Sequence, residues 1–111
     1  MTTHNMKLKQ PYFDLVKSGQ KTVELRLYDD KRQLVNPGDT IIFQNGESFT
    51  KVKVKGLVRA ESFESLLDIV DAKCTGLDTK ENAVNTMKQF FDEETQRKFG
   101  VVGIVIEKDN D

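Results

Sequence analysis

The run Val101-Val102-Gly103-Ile104-Val105-Ile106 constrains the fold most, because it carries no polar residue on either parity. A strand with one wet face alternates, whereas a continuous apolar run bounded by a glycine reads as a central strand covered on both sides. Its partners come from earlier in the chain. Met6 to Lys9 alternates apolar and basic residues, and Thr22 to Leu27 sets Val23, Leu25 and Leu27 against Thr22, Glu24 and Arg26. Thr40 to Phe43 is apolar and β-branched, and Phe49 to Val58 sets Val52 and Val54 against Lys51, Lys53 and Lys55.

Turn chemistry separates these strands. Asn36-Pro37-Gly38-Asp39 is a tight turn into the third strand, Asn45-Gly46 is a hairpin signal between the third and fourth, and Gly56 breaks the alternation as a bulge or barrel corner would. Pro11 opens a short helix that Gly19 closes in the left-handed C′ position, and the polar stretch Tyr28 to Val35 accommodates a helical turn. Before the last strand the period changes. Ser62 caps a helix carrying Phe63, Leu66, Leu67 and Val70 at helical spacing, Asp78 or Thr79 caps a second helix through Phe91, and Asp92 to Phe99 adds another turn. The order predicts an α+β fold, a small mixed or antiparallel barrel with a helical insertion before the last strand, and excludes a doubly wound sheet.

At 111 residues the chain buries one core, placed at residues 6–108, with residues 1–5 expected to form a disordered polar tail. Lys and Arg number 17 against 18 Asp and Glu, so no overall field draws the molecule to nucleic acid or membrane, and a nucleic-acid site has to be a local patch. A lone cysteine, Cys74, excludes an internal disulfide and reads as an inert thiol; with the single histidine, His4, in the tail, no metal and no cofactor is expected. No apolar leader or spanning segment is present, so the expected compartment is the cytoplasm, with no membrane contact. The phosphate-loop, dinucleotide and nucleophile-elbow motifs are absent.

The chemistry concentrates in Gly19-x-Lys21-x-x-Glu24-x-Arg26. Strand periodicity puts Glu24 and Arg26 on one face, roughly 7 Å apart at Cα, with Lys21 at the corner beside them. Two readings follow. One is a solvated surface pair worth about 0–1 kcal/mol. The other is a site for a planar polar ligand, in which Arg26 offers a rigid donor fork, Glu24 accepts from an amine and Lys21 adds a movable cation.

That pattern, followed by the Pro37-Gly38-Asp39 turn and the closing Gly100-Val101-Val102-Gly103-Ile104 strand, resembles the ASCH family over nearly the whole chain. The resemblance implies a PUA-like β-barrel whose cleft binds RNA or a nucleotide-like ligand through Gly19, Lys21, Glu24 and Arg26. It also implies an alternative, since some members of the wider group are small amidohydrolases that deacetylate N4-acetylcytidine with a lysine, a threonine and a glutamate, and others cut RNA. In a hydrolase, Lys21 and Glu24 would be catalytic. Lys21 matches the lysine of that branch, but Glu24 stands where the branch has threonine; Thr22 shares the parity of Glu24, and Glu61 and Glu64 compete for the glutamate role. A protein-interaction domain is the third reading.

A lysine base needs a neutral amine, which burial or a neighbouring cation favours and a carboxylate opposes. Arg26 helps and Glu24 hinders, so this residue set suits binding better than proton abstraction. Lys7 and Lys9, and Lys51, Lys53 and Lys55, form stripes that either contact phosphates or solvate an outer sheet face. Lys51, Lys53 and Tyr28 are the candidate RNA contacts outside the motif. Phe90, Phe91, Met87 and Val84 fall at helical spacing and are expected in the core, while Tyr12, Phe13 and Tyr28 flank the motif and serve either packing or base stacking.

Overall fold

The computed structural model describes residues 1–109. Its elements are β1 (Thr3–Lys7), α1 (Tyr12–Lys17), β2 (Val23–Leu27), β3 (Thr40–Asn45), β4 (Ser48–Ala60), α2 (Phe63–Leu66), α3 (Lys80–Phe90), α4 (Glu93–Phe99) and β5 (Val101–Lys108), with 3-10 turns at Arg32–Leu34 and Ala72–Thr75. The strands form a five-stranded sheet in the order β1-β3-β4-β5-β2. β1 runs parallel to β3 and every other neighbour is antiparallel. The sheet curls into a half-barrel, a mixed α+β fold of the PUA-like kind.

β5 lies between β4 and β2, and its unbroken apolar sequence reflects two cores. Val102, Ile104 and Ile106 pack inside the curl with Phe13, Val16, Ile41 and Phe43. Val101 joins Val23, Leu25, Leu27, Phe63 and Leu66 beneath the helical insertion. The registers shift between Val54 and Gly56, the bulge that bends the long β4 across β5. At the Asn36–Asp39 turn, Gly38 adopts φ +92, which the turn requires of its third residue.

Two expectations are corrected. Residues 3–5 are not a disordered tail, because β1 begins at Thr3 and pairs with β3 from Thr3–Thr40 to Lys7–Gln44. The stretch looks polar because His4 takes an inward position next to Met6. Its hydrogen-bond partner is Asp39, whose Oδ2 lies 2.9 Å from His4 Nε2 and whose carboxylate also accepts from the amides of Thr2 and Asn36. The helix from Ser62 ends at Leu66 instead of running to Val70. Leu67 and Ala72 pack against Ala83, which draws the chain into the 3-10 turn at Ala72–Thr75 and leaves Ile69 exposed.

The contact with His4 and the two amides hold the Asp39 carboxyl well below its ordinary value, at about 2. A carboxylate with a depressed folded pKa stabilises the fold above its unfolded pKa, and the contribution disappears as pH falls from about 4 toward 2. Denaturant titrations at pH 6 and pH 2 are expected to show a loss in the wild type that exceeds the loss in Asp39→Asn by about 1–2 kcal/mol. Parallel losses in the two proteins would remove this role from Asp39.

Candidate functional site

The site forms where β2, an edge of the sheet, meets the insertion. Gly19, at φ +85, turns the chain after α1, and the amide of Lys21 donates to the carbonyl of Leu15 at 2.9 Å. The next amide, of Thr22, donates to the carbonyl of Cys74 at 2.8 Å, which seats the Ala72–Thr75 turn on the start of β2. Lys21 is thereby enclosed. Its Nζ donates to the carbonyls of Val23 at 3.1 Å and Thr75 at 2.5 Å and lies 3.2 Å from Glu24 Oε1. Glu24 Oε2 accepts from Arg26 Nε at 2.8 Å, and Arg26 Nη2 donates to the carbonyl of Lys7 at 2.7 Å.

Lys21 and Glu24 are each only 4% exposed, so the solvated-pair reading fails. The three charges form one continuous chain, with Glu24 bridging both cations. Its outer end also joins the open edges of the half-barrel: Arg26 on β2 and Lys31, which donates to the carbonyl of Asn5 at 2.9 Å, both cap carbonyls on the free side of β1. Burial pushes the Lys21 amine below its ordinary value, Arg26 acts in the same direction, and Glu24 opposes them. Three acceptors around Nζ match the three protons of an ammonium. Arg32, near the same charges, is held by Asp29 at 3.2 Å and keeps a buried Nε without a protein partner among the described residues.

This network floors a cavity of about 230 Å³. Leu8, Tyr12, Leu77, Met87, Phe90 and Phe91 give it apolar walls, Thr75 and Thr86 complete the lining, and the exposed Lys7 and Lys9 border it. The Tyr12 ring centre lies 5.4 Å from Lys21 Nζ.

Of the residues singled out by sequence, Lys21, Glu24 and Arg26 converge on the cleft and Gly19 does not. Gly19 borders a second depression with Val16, Thr22 and Ile106, which Lys21 also lines, and the contribution of Gly19 is its backbone turn. Thr22 borders that depression together with Lys21, but Lys21 Nζ bonds to Val23, Thr75 and Glu24 and not to the Thr22 hydroxyl, and Glu61 and Glu64 are exposed and line neither hollow, so the glutamate of the amidohydrolase pattern is not brought to Lys21. Lys51 and Lys53 lie on the outer sheet face, Lys51 Nζ 3.8 Å from Asp109 and Lys53 Nζ donating to Thr40 Oγ1 at 3.0 Å. Tyr28 packs against the inner core with the Arg59 guanidinium 4.0 Å over its ring, also away from the cleft. Phe13 is core.

Phe90 departs from its expected core position and is 53% exposed at the cleft wall. α3 ends there, so Phe91 folds back onto Phe63, with ring centres 6.2 Å apart, while Phe90 stays outside. Sequence reasoning did not single out Thr75 or Leu77. A readable signal existed in Gly76, whose φ of +90 ends the 3-10 turn against Tyr12 and the Lys21 stem. Among the described residues no group of three or more His, Cys, Asp or Glu is placed to hold a metal ion, and no helix is long and apolar enough to cross a membrane.

A small PUA-like domain with a charged cleft between sheet edge and helical insertion is the class that fold and site define. A family model of the ASCH domain matches residues 6–109, and the chain belongs to that family. The fold is similar to the crystal structure of the hypothetical protein PH0355, with 41% identity, a TM-score of 0.88, and 98% of this chain and 100% of that one covered. It is also similar to the solution structure of protein PF0455 from Pyrococcus furiosus, at 34% identity and TM-score 0.78 over 98% and 99% of the two chains. The crystal structure of ASCH from Zymomonas mobilis is 13% identical with a TM-score of 0.70, covering 96% of this chain and 67% of that one, a likeness of fold alone. Comparison with curated protein sequences finds no match.

Proposed function

We propose that this ASCH domain binds RNA or a nucleotide-like ligand, with a base entering the cleft above Lys21, Glu24 and Arg26. The observation that carries this reading is a buried, fully connected charge network at the floor of a cavity with aromatic walls. A ligand site combines apolar lining with a few convergent polar groups, and about 230 Å³ is smaller than the usual volume for drug-sized ligands, the scale of a single base or nucleoside. Tyr12, Phe90 and Phe91 supply faces on which a base can stack. Arg26 Nη1, without a protein partner among the described residues, is the open donor, and Glu24 keeps lone pairs for a base amine beyond the bonds it accepts from the two cations. Lys51, Lys53 and Tyr28 lie outside the cleft and serve only a ligand long enough to leave it. A cytoplasmic setting goes with this reading.

A second reading, a small hydrolase of N4-acetylcytidine or RNA with Lys21 and Glu24 catalytic, is favoured by the burial that lowers the Lys21 pKa. Against it stand the three acceptors around Nζ and glutamate in place of the branch's threonine at position 24. Incubation of purified protein with N4-acetylcytidine and with short labelled RNA, following both products and binding, separates the readings. Saturable binding without turnover is expected, and Arg26→Ala should weaken it about tenfold, the effect of one charge-assisted hydrogen bond. Turnover that disappears in Lys21→Ala would transfer the site to the hydrolase reading, and neither binding nor turnover would leave the interaction domain.

A further inference from the structure

The cleft concentrates positive charge on a chain that has almost none to spare. Lys7, Lys9, Lys21 and Arg26 line it against the single carboxylate of Glu24, a formal +3, in a protein of formal net charge -1. These cations are of two kinds. Lys21 and Arg26 are both bound to Glu24 and fixed at the floor. Lys7 and Lys9 are exposed at the edge, and neither forms an ion pair among the described residues. On the outer sheet face, by contrast, Lys51 and Lys55 each lie near a carboxylate on the strand side, at 3.8 and 3.4 Å.

Position reinforces the charge pattern. Lys7 ends β1 and Lys9 follows it two residues on, and the Arg26 guanidinium donates to the Lys7 carbonyl at 2.7 Å, so edge and floor are held in one frame. Lys9 Nζ lies 5.5 Å from the centre of the Phe90 ring, which places a cation beside an exposed aromatic face at the mouth. A base at the floor and a phosphate at the mouth would match this order of apolar wall, buried polar network and uncompensated cations.

Resting on the reading of the cleft as a base site, we infer that the cleft takes its ligand base first and holds the attached phosphate at the mouth on Lys7 and Lys9. It therefore selects a nucleotide, free or within a single strand, over the corresponding nucleoside. Cations without a carboxylate partner are available to a phosphate at little cost in broken contacts, and their contribution is screened by salt.

The test titrates the protein with the four ribonucleosides, their monophosphates, dinucleoside monophosphates and inorganic phosphate, following amide chemical shifts at low and high salt. A monophosphate or a dinucleoside monophosphate is expected to bind about tenfold more tightly than its nucleoside at low salt, and the advantage shrinks as salt rises. Lys7→Ala combined with Lys9→Ala should bring the phosphorylated probes down to the nucleoside level, with an unchanged melting temperature showing that the variant folds. Preference for the monophosphate marks a free nucleotide, and preference for the dinucleoside marks a strand; both support the inference. Equal affinity for nucleoside and monophosphate, an advantage that survives the double substitution, or inorganic phosphate binding as tightly as the monophosphate would each overturn it. Absence of binding by every nucleoside, nucleotide and strand would instead overturn the base-site reading itself.

Discussion

Glu24→Ala is expected to lower the stability of the domain by about 3–5 kcal/mol, because it strands a buried ammonium that now has an anion 3.2 Å away. Lys21 is 4% exposed and is held in place by its bonds to the carbonyls of Val23 and Thr75. Arg26, at 19% side-chain exposure, loses less because its guanidinium can turn outward. The midpoint of thermal unfolding should fall by roughly ten degrees or more. A second variant identifies the cause. Lys21→Met combined with Glu24→Leu removes both charges at similar volume, and such replacements of a buried pair are close to neutral or stabilising, so it should recover most of the loss. An unshifted midpoint in Glu24→Ala would show that the lysine is not held as a buried charge. Recovery of stability without recovery of nucleotide binding would locate the value of the network in the site and not in the fold.

Local signals explain why much of this architecture was readable. The Asn36–Asp39 turn, the Gly56 bulge and the caps at Ser62 and Thr79 are each fixed by backbone chemistry within four residues and form as their residues require, and the hairpin signalled by Asn45-Gly46 forms one residue on, with Asn45 paired to Ser48 and Gly46-Glu47 as its loop. The motif face of β2 was legible for the same reason, since parity alone aligns Glu24 with Arg26. What short-range patterns could not supply was the surroundings. His4 and the residues around it look like a solvated terminus until β3 presents an edge, and only then does Asp39, 35 positions away, become its partner. Thr75 meets Lys21 across 54 positions, a contact without a trace in periodicity. Phe90 and Phe91 carry the same signal in sequence and diverge because the helix ends between them. The ASCH resemblance supplied the long-range frame, and the fold shows which motif residues bring side chains to the cleft and which, like Gly19, turn the backbone toward it.

Gln96→Ala should be the next most damaging change, at about 2–4 kcal/mol, although no sequence pattern marks this residue. Gln96 is 3% exposed on α4. Its Oε1 accepts from the amide of Phe63 at 3.0 Å, and its Nε2 donates to the carbonyl of Phe91 at 2.8 Å. One side chain thus satisfies the first amide of α2 and the carbonyl just past α3, and it ties together the two segments whose rings stack 6.2 Å apart. Removing it leaves a buried donor and a buried acceptor unpaired, each costing about 1–3 kcal/mol, partly offset where water enters. Gln96→Met keeps the volume and loses the bonds, so a comparable loss in both variants assigns the effect to hydrogen bonding, whereas a near-normal Met variant assigns it to packing. Because Phe91 lines the cleft on the far side of that contact, Gln96→Met is also expected to weaken nucleotide binding at temperatures well below its melting point. Undiminished binding there would mean that the aromatic wall is held by the Phe63 contact alone.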